Sequence, residues 1–475
     1  MLDLVKKFLG SDFSGNGRYH PVDPELLKMY SRQRSTNKKA LCLAPFTNLY
    51  FGRKGNVVSC CHNREHIIGN YPQQSIQQIW NGEKLKELRD YLKHNDLSSG
   101  CHVCKWDMEQ KNFKEVKALH FDSLPVFANY PSMMEFELDN TCNLECAMCS
   151  GEFSSTIRKN RECKPPIVSV YDNEFVEQLQ PFIPHLKETR FSGGEPFLID
   201  IYYKIWEKIN KENPQCLISV QTNGTVLNGR IKEIMEAGSF EIGVSIDSLE
   251  KDVYESIRKH ARFETVMENV KYFADYCKRK NTNFRISVCA MRENWRELPA
   301  YIDFCRQHSA LLQIHTVWFP PGSALWNLEE DKLNEISGFL STYKFNEKEV
   351  APDPNYAHYK SFSAQVKHWA LGAVNRSNNG VNNFESTSAA KQELLNRLES
   401  HIMSDKVLPQ AMKEKNRDAI LVKAKNVFDR FEDNEHSTKG FVKMIEVPVE
   451  IVVSVLQVEN EERIYDYMTL MFVSN

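Results

Sequence analysis

A sixfold alternation of strand-like and helix-like patterns constrains the fold of this chain most strongly, and it runs from Met133 to Trp318. The β-rich runs are Met134–Asp139, Glu188–Ser192, Cys216–Thr222, Phe240–Ile246, Phe284–Cys289 and Leu311–Val317. Between them, apolar residues recur at steps of three and four, which predicts the helices Leu198–Asn210, Gly229–Ala237, Thr265–Lys280 and Trp295–Gln307. Repeats of this kind predict parallel strands joined by right-handed crossovers.

The region before this alternation has a different character. A turn-rich stretch with cysteines runs from Leu41 to Tyr71, and a helix is predicted from about Ser75 to His94. We therefore expect an α/β fold: a partial (β/α)6 TIM-like barrel with a small Cys-rich N-terminal module and a mostly helical C-terminal region. The expected domains are an N-terminal extension at 1–39, the module at 40–130, the barrel at 131–322 and the C-terminal region at 323–475.

The C-terminal region is polar and helical in pattern after about Ser323. A stretch of Asn, Ser and Gly at Asn375–Ala390 interrupts it and is typical of a linker. Near the end, Phe441–Val458 predicts one or two strands. The region has three candidate roles at this stage: a lid, a substrate-recognition domain or a dimer contact.

Composition and charge exclude several classes of protein. The 475-residue chain has 41% hydrophobic and 26% charged residues, as soluble globular proteins do. Its net charge of −3, without a long basic run, argues against a nucleic acid partner. The opening MLDLVKKFLG lacks the pattern of a signal peptide, and the apolar run Val447–Val458 is too short to span a bilayer. We therefore expect a cytoplasmic protein with no membrane partner.

The thirteen cysteines need an explanation, because a reducing cytosol argues against a disulfide framework. Eight lie in two groups in the first third of the chain: Cys42, Cys60, Cys61, Cys101 and Cys104, then Cys142, Cys146 and Cys149. Four others, Cys216, Cys277, Cys289 and Cys305, fall in strand-like or helix-like runs, and we expect them to be small buried hydrophobes. Cys163 lies in a polar loop, and no role is assigned to it.

Three cysteines share one short loop directly after the first predicted strand. Cys142, Cys146 and Cys149 have the spacing C-x3-C-x2-C, so three thiolates can bind three irons of a [4Fe–4S] cluster and leave the fourth iron open. A structural zinc site is the alternative, but it needs four ligands, usually as two separated pairs. The spacing therefore favours the cluster.

This loop resembles the signature of the radical S-adenosylmethionine (SAM) superfamily, which follows the first strand of a partial barrel. The resemblance implies that SAM chelates the open iron and that one electron cleaves it to methionine and a 5′-deoxyadenosyl radical. That radical abstracts hydrogen from an unactivated C–H bond of the substrate. The residue before the third cysteine, commonly aromatic in this family and near adenine, is Met148 here. We assign no catalytic residue beyond the cluster ligands.

Motifs at the ends of later strands are similar to the SAM-binding motifs of this family. Gly193, Gly194 and Glu195 follow the second strand and resemble the amine-binding motif; in isolation they would be an ordinary turn. Other candidates for binding SAM or substrate are Asn223 after the third strand, Ser245 and Asp247 after the fourth, and Arg258. Their structural alternatives are an Asn-Gly turn, a helix N-cap and a solvated helix charge, respectively.

The earlier cysteines form a second four-thiolate set made of Cys42, Cys60, Cys101 and Cys104. On chemistry alone, a closed [4Fe–4S] cluster and zinc suit this set equally well. The stretch from Cys42-Leu43-Ala44-Pro45 to Cys101–Cys104 resembles the SPASM/twitch auxiliary-cluster module of radical SAM enzymes, closer to the single-cluster twitch form. It departs from that module by preceding the barrel, and Cys61 is a surplus thiol that competes with Cys60 as a ligand.

The resemblance implies an enzyme that transfers electrons through an auxiliary [4Fe–4S] cluster and receives electrons from a donor such as flavodoxin or ferredoxin. Its substrate would be a small polar metabolite of the sugar or aminocyclitol type, or a peptide. The alternative hypothesis is a non-catalytic metal-binding scaffold with zinc in the N-terminal module; it predicts neither iron nor SAM binding.

Overall fold

The computed structural model of the chain describes residues 19–34, 40–109, 111, 113, 116–317, 322–345, 353–378, 384, 386–404, 410–447, 449–458 and 461–473. The opening decapeptide and the segment after the sixth predicted strand (318–321) lie outside these residues. Within the described ranges, none of the helices has the length and apolar character that a membrane span requires.

One mixed sheet of nine strands organises the described residues. In spatial order it contains β11 (Leu311–Thr316), β10 (Phe284–Ala290), β8 (Ser239–Ser245), β7 (Leu217–Thr222), β6 (Glu188–Phe191), β4 (Met133–Glu137), β1 (Asn48–Gly52), β2 (Asn56–Val58) and β3 (Gly69–Asn70). Neighbouring strands from β11 to β1 are all parallel. Strand β2 pairs antiparallel with β1, and β3 pairs antiparallel with β2. The six predicted barrel strands are confirmed, each within two residues of its predicted ends.

Helices cover one face of these strands. They are α7 (Asn173–Gln178), α8 (Asp200–Glu212), α9 (Gly229–Glu236), α11 (Phe263–Lys280) and α12 (Ala300–Gln307). Alternate strand residues pack against them: the ring of Phe191 lies 4.8 Å from that of Phe136 and 5.3 Å from that of Trp206. Two shorter helices, α6 (Ser155–Asn160) and α10 (Lys251–Ile257), lie beside the loop that follows β4. The helix predicted at Trp295–Gln307 is split, because Pro299 cannot continue a helical hydrogen-bond ladder and α12 begins after it.

The other face of the strands lines the barrel interior, and it is polar. Residues that alternate with the helix-facing ones meet there across neighbouring strands: Arg285 Nη2 donates to Ser219 Oγ (2.7 Å), and Gln221 Nε2 donates to Ser245 Oγ (2.9 Å). Arg285 also pairs with the buried Glu241. A lumen lined by such polar side chains is suited to bind a polar ligand and is not filled by an apolar core.

The N-terminal module adds strands to the same sheet. Its β1 runs parallel to β4, with Tyr50 opposite Glu135. Its helices are α1 (Pro24–Ser31), α2 (Ala44–Thr47), α3 (Ile76–Trp80), α4 (Glu83–Lys93) and α5 (His102–Glu109), followed by a 3-10 turn at Lys117–Ser123. The single helix expected at Ser75–His94 is two helices, because the chain turns at Gly82, where an added Cβ would lie 3.1 Å from the carbonyl oxygen of Gln78.

The C-terminal region is helical: α13 (Glu330–Thr342), α14 (Pro354–Asn378), α15 (Thr387–Ser404), α16 (Gln410–Phe428), α17 (Glu435–Glu446), α18 (Val449–Val458) and α19 (Glu461–Val473). The strands predicted at Phe441–Val458 are therefore wrong. Val452, Val453 and Leu456 are buried at helical spacing against neighbouring helices, and this packing overrides the β-propensity of valine. The ends of the predicted linker Asn375–Ala390 belong to α14 and α15, while 379–383 and 385 lie outside the described residues.

Two contacts place these C-terminal helices around the barrel. Helix α14 covers the edge of β11: Asn355 Oδ1 accepts from Leu312 N–H (2.7 Å), and His358 Nε2 accepts from Ile314 N–H (2.9 Å). The helices α15 to α19 share a hydrophobic core with Ile257 and other residues beyond the carboxyl ends of the barrel strands (Met291, Val317, Ala324 and Trp326). The edge of β11 and part of the barrel mouth are thus covered.

Candidate functional site

The three-cysteine loop is held against a distant segment of the chain. A two-residue strand, β5 (Glu145–Cys146), pairs antiparallel with β9 (Arg258–Lys259), so Cys146 stands opposite Arg258. Ala147 N–H also donates to the carbonyl of Ile257 (2.8 Å). This ladder fixes the middle of the loop at the carboxyl end of the barrel strands, where a parallel barrel places its reactive groups.

The three thiols of this loop are close to one another and largely buried. Burial raises the pKa of Cys146 to about 11 and that of Cys149 to about 12, and the neighbouring thiols contribute to both shifts. Burial also raises the pKa of Cys142. Metal ligation requires deprotonated thiolates, so iron would supply the positive charge that these buried sulfurs otherwise lack.

No three His, Cys, Asp or Glu side chains converge on a point suited to a single metal ion anywhere in the described ranges. A [4Fe–4S] cluster does not need such a point, because each thiolate binds a different iron. The donor set of three adjacent cysteines therefore fits the cluster.

Two glycines hold the next loop against the start of the cysteine loop. Gly193 (φ +83°) and Gly194 (φ +49°) occupy the left-handed region, and a Cβ at Gly194 would lie 2.2 Å from the carbonyl oxygen of Thr141. Glu195 N–H donates to that same oxygen (2.7 Å). Any larger residue at Gly194 would displace the segment that leads into Cys142.

The Glu195 carboxylate is fully buried and bound by protein groups. Its Oε1 accepts from Thr222 Oγ1 (2.7 Å) and Phe197 N–H (3.1 Å), and its Oε2 accepts from Asn223 N–H (2.7 Å). Burial raises the pKa of this carboxyl group despite these bonds. The side chain therefore ties the loop after β6 to the loop after β7, and its place in SAM binding stays a prediction.

Asn223 and Ser245 lie on the inner side of the cysteine loop. Asn223 Nδ2 donates to Asn143 Oδ1 (3.0 Å) and lies 4.0 Å from Cys142 Sγ. Ser245 faces the lumen, where it accepts from Gln221. The structure thus brings the predicted strand-end residues to one edge of the sheet.

A buried ion pair lies beside Cys146. Arg258 Nε is 2.8 Å from Asp247 Oδ2, with 8% and 0% of the two side chains exposed, and Arg258 Nη1 is 3.9 Å from Cys146 Sγ. Asp247 Oδ1 accepts from Cys289 N–H (2.7 Å). Solvated surface charge, the structural alternative for Arg258, is excluded by this burial.

Three buried polar atoms at this place have no hydrogen-bond partner among the described residues. They are Asp247 Oδ2 and Arg258 Nε, which are close but not aligned as a hydrogen bond, and the hydroxyl of Tyr254. Asp247 and Arg258 neutralise each other as an ion pair, so the Tyr254 hydroxyl is the polar group that lacks a partner here. Buried polar groups are normally hydrogen-bonded, so this hydroxyl beside the three thiols fits a polar ligand such as SAM.

Met148 and Cys289 complete this side of the site. Met148 is partly buried and packs against both the barrel core and the C-terminal helical core. Cys289, expected to be a buried hydrophobe, is only partly buried; burial and the Asp247 carboxylate raise its pKa. Cys289 is two residues from Ser287 in β10, so both side chains lie on the inward face of the strand. This spacing in the sequence could have predicted that Cys289 faces the lumen.

The second cysteine set lies toward the amino ends of the barrel strands. Strand β1 runs parallel to β4, which leads into Cys142, whereas β2 runs antiparallel to β1. Cys60, which follows β2, therefore lies at the opposite end of the sheet from Cys142. Three sulfurs accept hydrogen bonds there: Cys42 from Ala44 N–H (3.4 Å), Cys60 from His62 N–H (3.4 Å) and Cys101 from Asn63 Nδ2 (3.3 Å).

These sulfurs and Cys104 form one group of neighbouring thiols, of which Cys101 is partly buried and the other three are buried. Burial raises the pKa of Cys42 to about 12 and that of Cys104 to about 11, and the Cys104 thiol contributes to the shift at Cys42. Hydrogen bonds to sulfur stabilise thiolates in iron–sulfur sites, so this donor set fits a cluster. Cys61 hydrogen-bonds Cys60, which lowers the pKa of Cys61, and Lys117 lowers it further.

A charged group connects the two cysteine sites. Arg64 Nε donates to the Cys61 carbonyl (3.1 Å), and its Nη2 lies 3.4 Å from Glu137 Oε2 at the end of β4. Glu137 also accepts from Tyr50 OH (2.5 Å) and pairs with Arg53 (2.5 Å). The buried carboxylate thereby joins the cysteine-bearing hairpin to the strand that leads into the three-cysteine loop.

Comparisons with known proteins agree with this geometry. The chain matches the radical SAM superfamily over residues 137–305 and an iron–sulfur cluster-binding domain, SPASM, over residues 42–105. A probable GTP 3′,8-cyclase of Methanocaldococcus jannaschii is 30% identical over 183 residues, which cover 38% of this chain and 57% of that protein. The GTP 3′,8-cyclase of Streptomyces coelicolor is 29% identical over 139 residues, covering 29% and 39%. The chain spans about half the length of the curated relatives it matches.

Solved structures give weaker likenesses. Native anSMEcpe with bound AdoMet has a TM-score of 0.34 at 16% identity and covers 47% of this chain and 62% of that one. Streptococcus suis SuiB bound to its precursor peptide SuiA has a TM-score of 0.34 at 15% identity and covers 50% and 51%.

The two family matches settle what the residues alone left open. An iron–sulfur cluster-binding domain at 42–105 favours a cluster over zinc at the N-terminal cysteines. The cofactors are thus a SAM-binding [4Fe–4S] cluster, SAM and an auxiliary iron–sulfur cluster. The chain therefore carries a radical SAM superfamily domain at residues 137–305, with an iron–sulfur cluster-binding SPASM domain on its N-terminal side at residues 42–105.

Proposed function

We propose that this enzyme cleaves SAM reductively and abstracts hydrogen from an unactivated C–H bond of a small polar molecule. The observation that carries the proposal is the placement of the buried Arg258 between Asp247 and Cys146, beside the buried hydroxyl of Tyr254, which has no hydrogen-bond partner in the part of the chain that the structure describes. In this proposal Cys142, Cys146 and Cys149 hold the cluster. When bound, the cluster supplies the electron that splits SAM into methionine and a 5′-deoxyadenosyl radical.

The protein groups around the loop hold and orient SAM. Arg258 offers a buried positive charge to the SAM carboxylate, and the main chain at Gly193 and Gly194 allows close approach of its amine. Asp247 and Ser245 are the candidates for the ribose hydroxyls, with Asn223 beside them. Met148 covers the adenine, since it is flexible and apolar.

The lumen and its coverings favour a small polar substrate over a peptide. Gln221, Ser245, Ser287 and Gln313 present hydrogen-bonding groups to the barrel interior. Helix α14 covers the edge of β11, and α15 to α19 cover part of the mouth, which leaves less access for an extended chain. The curated relatives are named for a reaction on GTP, a small polar molecule, which supports the same class without identifying this substrate.

The auxiliary cluster, held by Cys42, Cys60, Cys101 and Cys104, serves electron transfer in this proposal. Its ligands lie at the opposite end of β4 from the three-cysteine loop, so a substrate in the lumen lies between the two sites. With four thiolates available, no iron needs a substrate ligand. We expect the module at 40–130, the barrel at 131–322 and the C-terminal region at 323–475 to act as three units around that substrate.

The first experiment measures iron and sulfide in anaerobically reconstituted protein, with electron paramagnetic resonance spectra recorded with and without SAM. We expect about eight irons and one cluster signal that SAM changes. Four irons plus zinc would remove the auxiliary electron path. Absence of iron and of any response to SAM would contradict the proposal and favour the zinc scaffold.

A second experiment tests the substrate class. The reconstituted enzyme is incubated with SAM, a reductant and either deuterated sugars and aminocyclitols or deuterated peptides, and 5′-deoxyadenosine is analysed by mass spectrometry. Deuterium transfer from a small polar compound supports the proposal. Transfer from peptides alone would overturn it.

A further inference from the structure

The outer side of the three-cysteine loop is covered by exposed cations. Arg161 Nη2 donates to the carbonyl of Cys149 (2.8 Å), and its Nη1 lies 3.4 Å from the carbonyl of Cys146. Arg161 and Lys159, at the end of α6, are both exposed. The solvent-exposed Arg161 is thus in direct contact with the backbone of two of the cluster ligands.

A buried carboxylate joins these cations to a second group on β9. Glu145 Oε1 accepts from Asn160 Nδ2 (2.9 Å) and lies 2.7 Å from His260 Nε2, and it stands opposite Lys259 in the β5–β9 ladder. The hydrogen bonds from Asn160 and His260 lower the pKa of Glu145. Lys259, His260 and Arg262 are exposed next to one another. We call Lys159, Arg161, Lys259, His260 and Arg262 the basic patch.

The charge of the basic patch is only partly offset by nearby carboxylates: Glu145 contacts His260 and interacts with Lys259, and Glu264 interacts with Arg262. Lys159, Arg161, Lys259 and Arg262 form no ion pair with any carboxylate of the described ranges. The nearby Glu162 is occupied by Gly151 N–H (2.6 Å) and Lys164 (3.7 Å). The basic patch thus presents four lysine and arginine side chains without an ion pair on a chain whose net charge is −3.

We propose that the basic patch is the docking surface for a small acidic one-electron carrier protein that reduces the SAM-binding cluster. The proposal rests on the proposed function, because it needs a cluster at Cys142, Cys146 and Cys149. The carrier is oxidised by one electron, the cluster is reduced by one electron, and no bond forms or breaks. Opposite charge on the carrier speeds its association with the patch. Docking there brings the carrier next to Arg161, which contacts the backbone of two cluster ligands, and so shortens the distance for electron transfer.

The test uses an acidic flavodoxin and the anaerobically reconstituted enzyme. The double variant Lys159→Glu/Lys259→Glu reverses two charges of the patch and leaves the cysteines in place. Its matched control is Lys211→Glu/Lys271→Glu, which makes the same change of net charge on exposed residues elsewhere. Binding is measured by biolayer interferometry at low ionic strength, and cluster reduction by stopped-flow absorbance.

We expect the patch variant to bind flavodoxin at least about tenfold more weakly and to be reduced about tenfold more slowly, with the control within about twofold of wild type. A second variant, Arg262→Glu, should weaken binding in the same direction, and raised salt should remove the difference. Changes below about twofold in both patch variants would overturn the docking proposal. Failure of dithionite to reduce any cluster in the wild type would instead overturn the proposed function, and the docking site with it.

Discussion

Arg258 Nη1 lies 3.9 Å from Cys146 Sγ, and the two residues stand opposite each other in a two-stranded ladder although 112 positions separate them in the chain. The ladder attaches the middle of the three-cysteine loop to the segment after β8. Because Arg258 also pairs with Asp247, the same side chain connects the thiol to the end of a barrel strand. The geometry of the loop therefore depends on residues that are remote in the sequence.

Replacing Arg258 by methionine should destabilise the protein strongly. Asp247 is fully buried, and removing its partner leaves an unpaired buried charge, which costs about 3–5 kcal/mol. Urea unfolding of the reconstituted protein measures the loss. The exposed neighbour Arg262→Met serves as the control and should change the free energy of unfolding by less than about 0.5 kcal/mol. Equal decreases in the free energy of unfolding of the two variants would show that the ion pair does not contribute to stability.

Replacing Gly194 by alanine should disturb the three-cysteine loop. The residue has a φ of +49°, and the added Cβ would lie 2.2 Å from the carbonyl oxygen of Thr141. We expect a loss of stability of about 1–3 kcal/mol and a lower iron content. Gly229→Ala is the matched control, because no atom of the described residues lies within 4 Å of the place that its new Cβ would take. Unchanged iron content in Gly194→Ala would contradict the close packing.

Alanine substitutions in the two cysteine sets should have different effects on SAM cleavage and on product formation. The double variant Cys101→Ala/Cys104→Ala should lower the iron content from about eight to about four, still form 5′-deoxyadenosine, and fail to complete the product. Cys142→Ala, Cys146→Ala and Cys149→Ala should each abolish SAM cleavage while leaving the fold largely intact. Formation of 5′-deoxyadenosine by Cys146→Ala would defeat the assignment. Unchanged product yield in the double variant would show that the N-terminal site is structural.

His120 should make the stability sensitive to mild acid. Burial lowers the pKa of His120 to about 3, and the positive charges of Arg190, Lys117 and Arg285 add to this effect. The folded state keeps the ring neutral, while the unfolded state takes up a proton below about pH 6.5. The stabilising contribution is therefore complete above about pH 6.5 and is lost as the pH falls towards about 3, by up to about 1.4 kcal/mol per pH unit.

The measurement compares urea unfolding of wild type and His120→Gln between about pH 7 and about pH 5. The wild type should lose more stability over this interval than the variant, because only its His120 gains a proton on unfolding. Parallel curves would show that folding does not change the pKa of His120.

Local patterns were sufficient to predict the barrel. The inward–outward alternation of strands such as Phe284–Ala290 and the helical spacing between them follow from short-range periodicity, as do the strand-end motifs at Gly193 and Asp247. The β5–β9 pairing could not be predicted from the sequence, because each strand has only two residues and shows no periodic pattern. The burial of Arg258 follows from that ladder and was equally inaccessible.

Two sequence-based expectations failed for a physical reason. Phe441–Val458 has the composition of strands, but Val452 and Leu456 are buried at helical spacing in the C-terminal core. Cys289 was expected to be a buried hydrophobe, yet it is only partly buried: the pleat of β10 directs it inward, where it packs against the C-terminal core and its N–H donates to Asp247. The helical form of the first segment depends on tertiary packing, which residue type alone does not determine. The position of Cys289 follows the alternation of β10, which the sequence does show.

The pairing of β1 with β4 has a consequence for how this architecture can be rearranged. The module is attached to the sheet through the edge of the first barrel strand, so its position in space is set by that edge and not by where it occurs along the gene. A module encoded before the barrel and one encoded after it can reach the same edge with a suitable connection. The order of the segments along this chain therefore does not by itself fix where the module's cysteines lie relative to the three-cysteine loop; the β1–β4 pairing does.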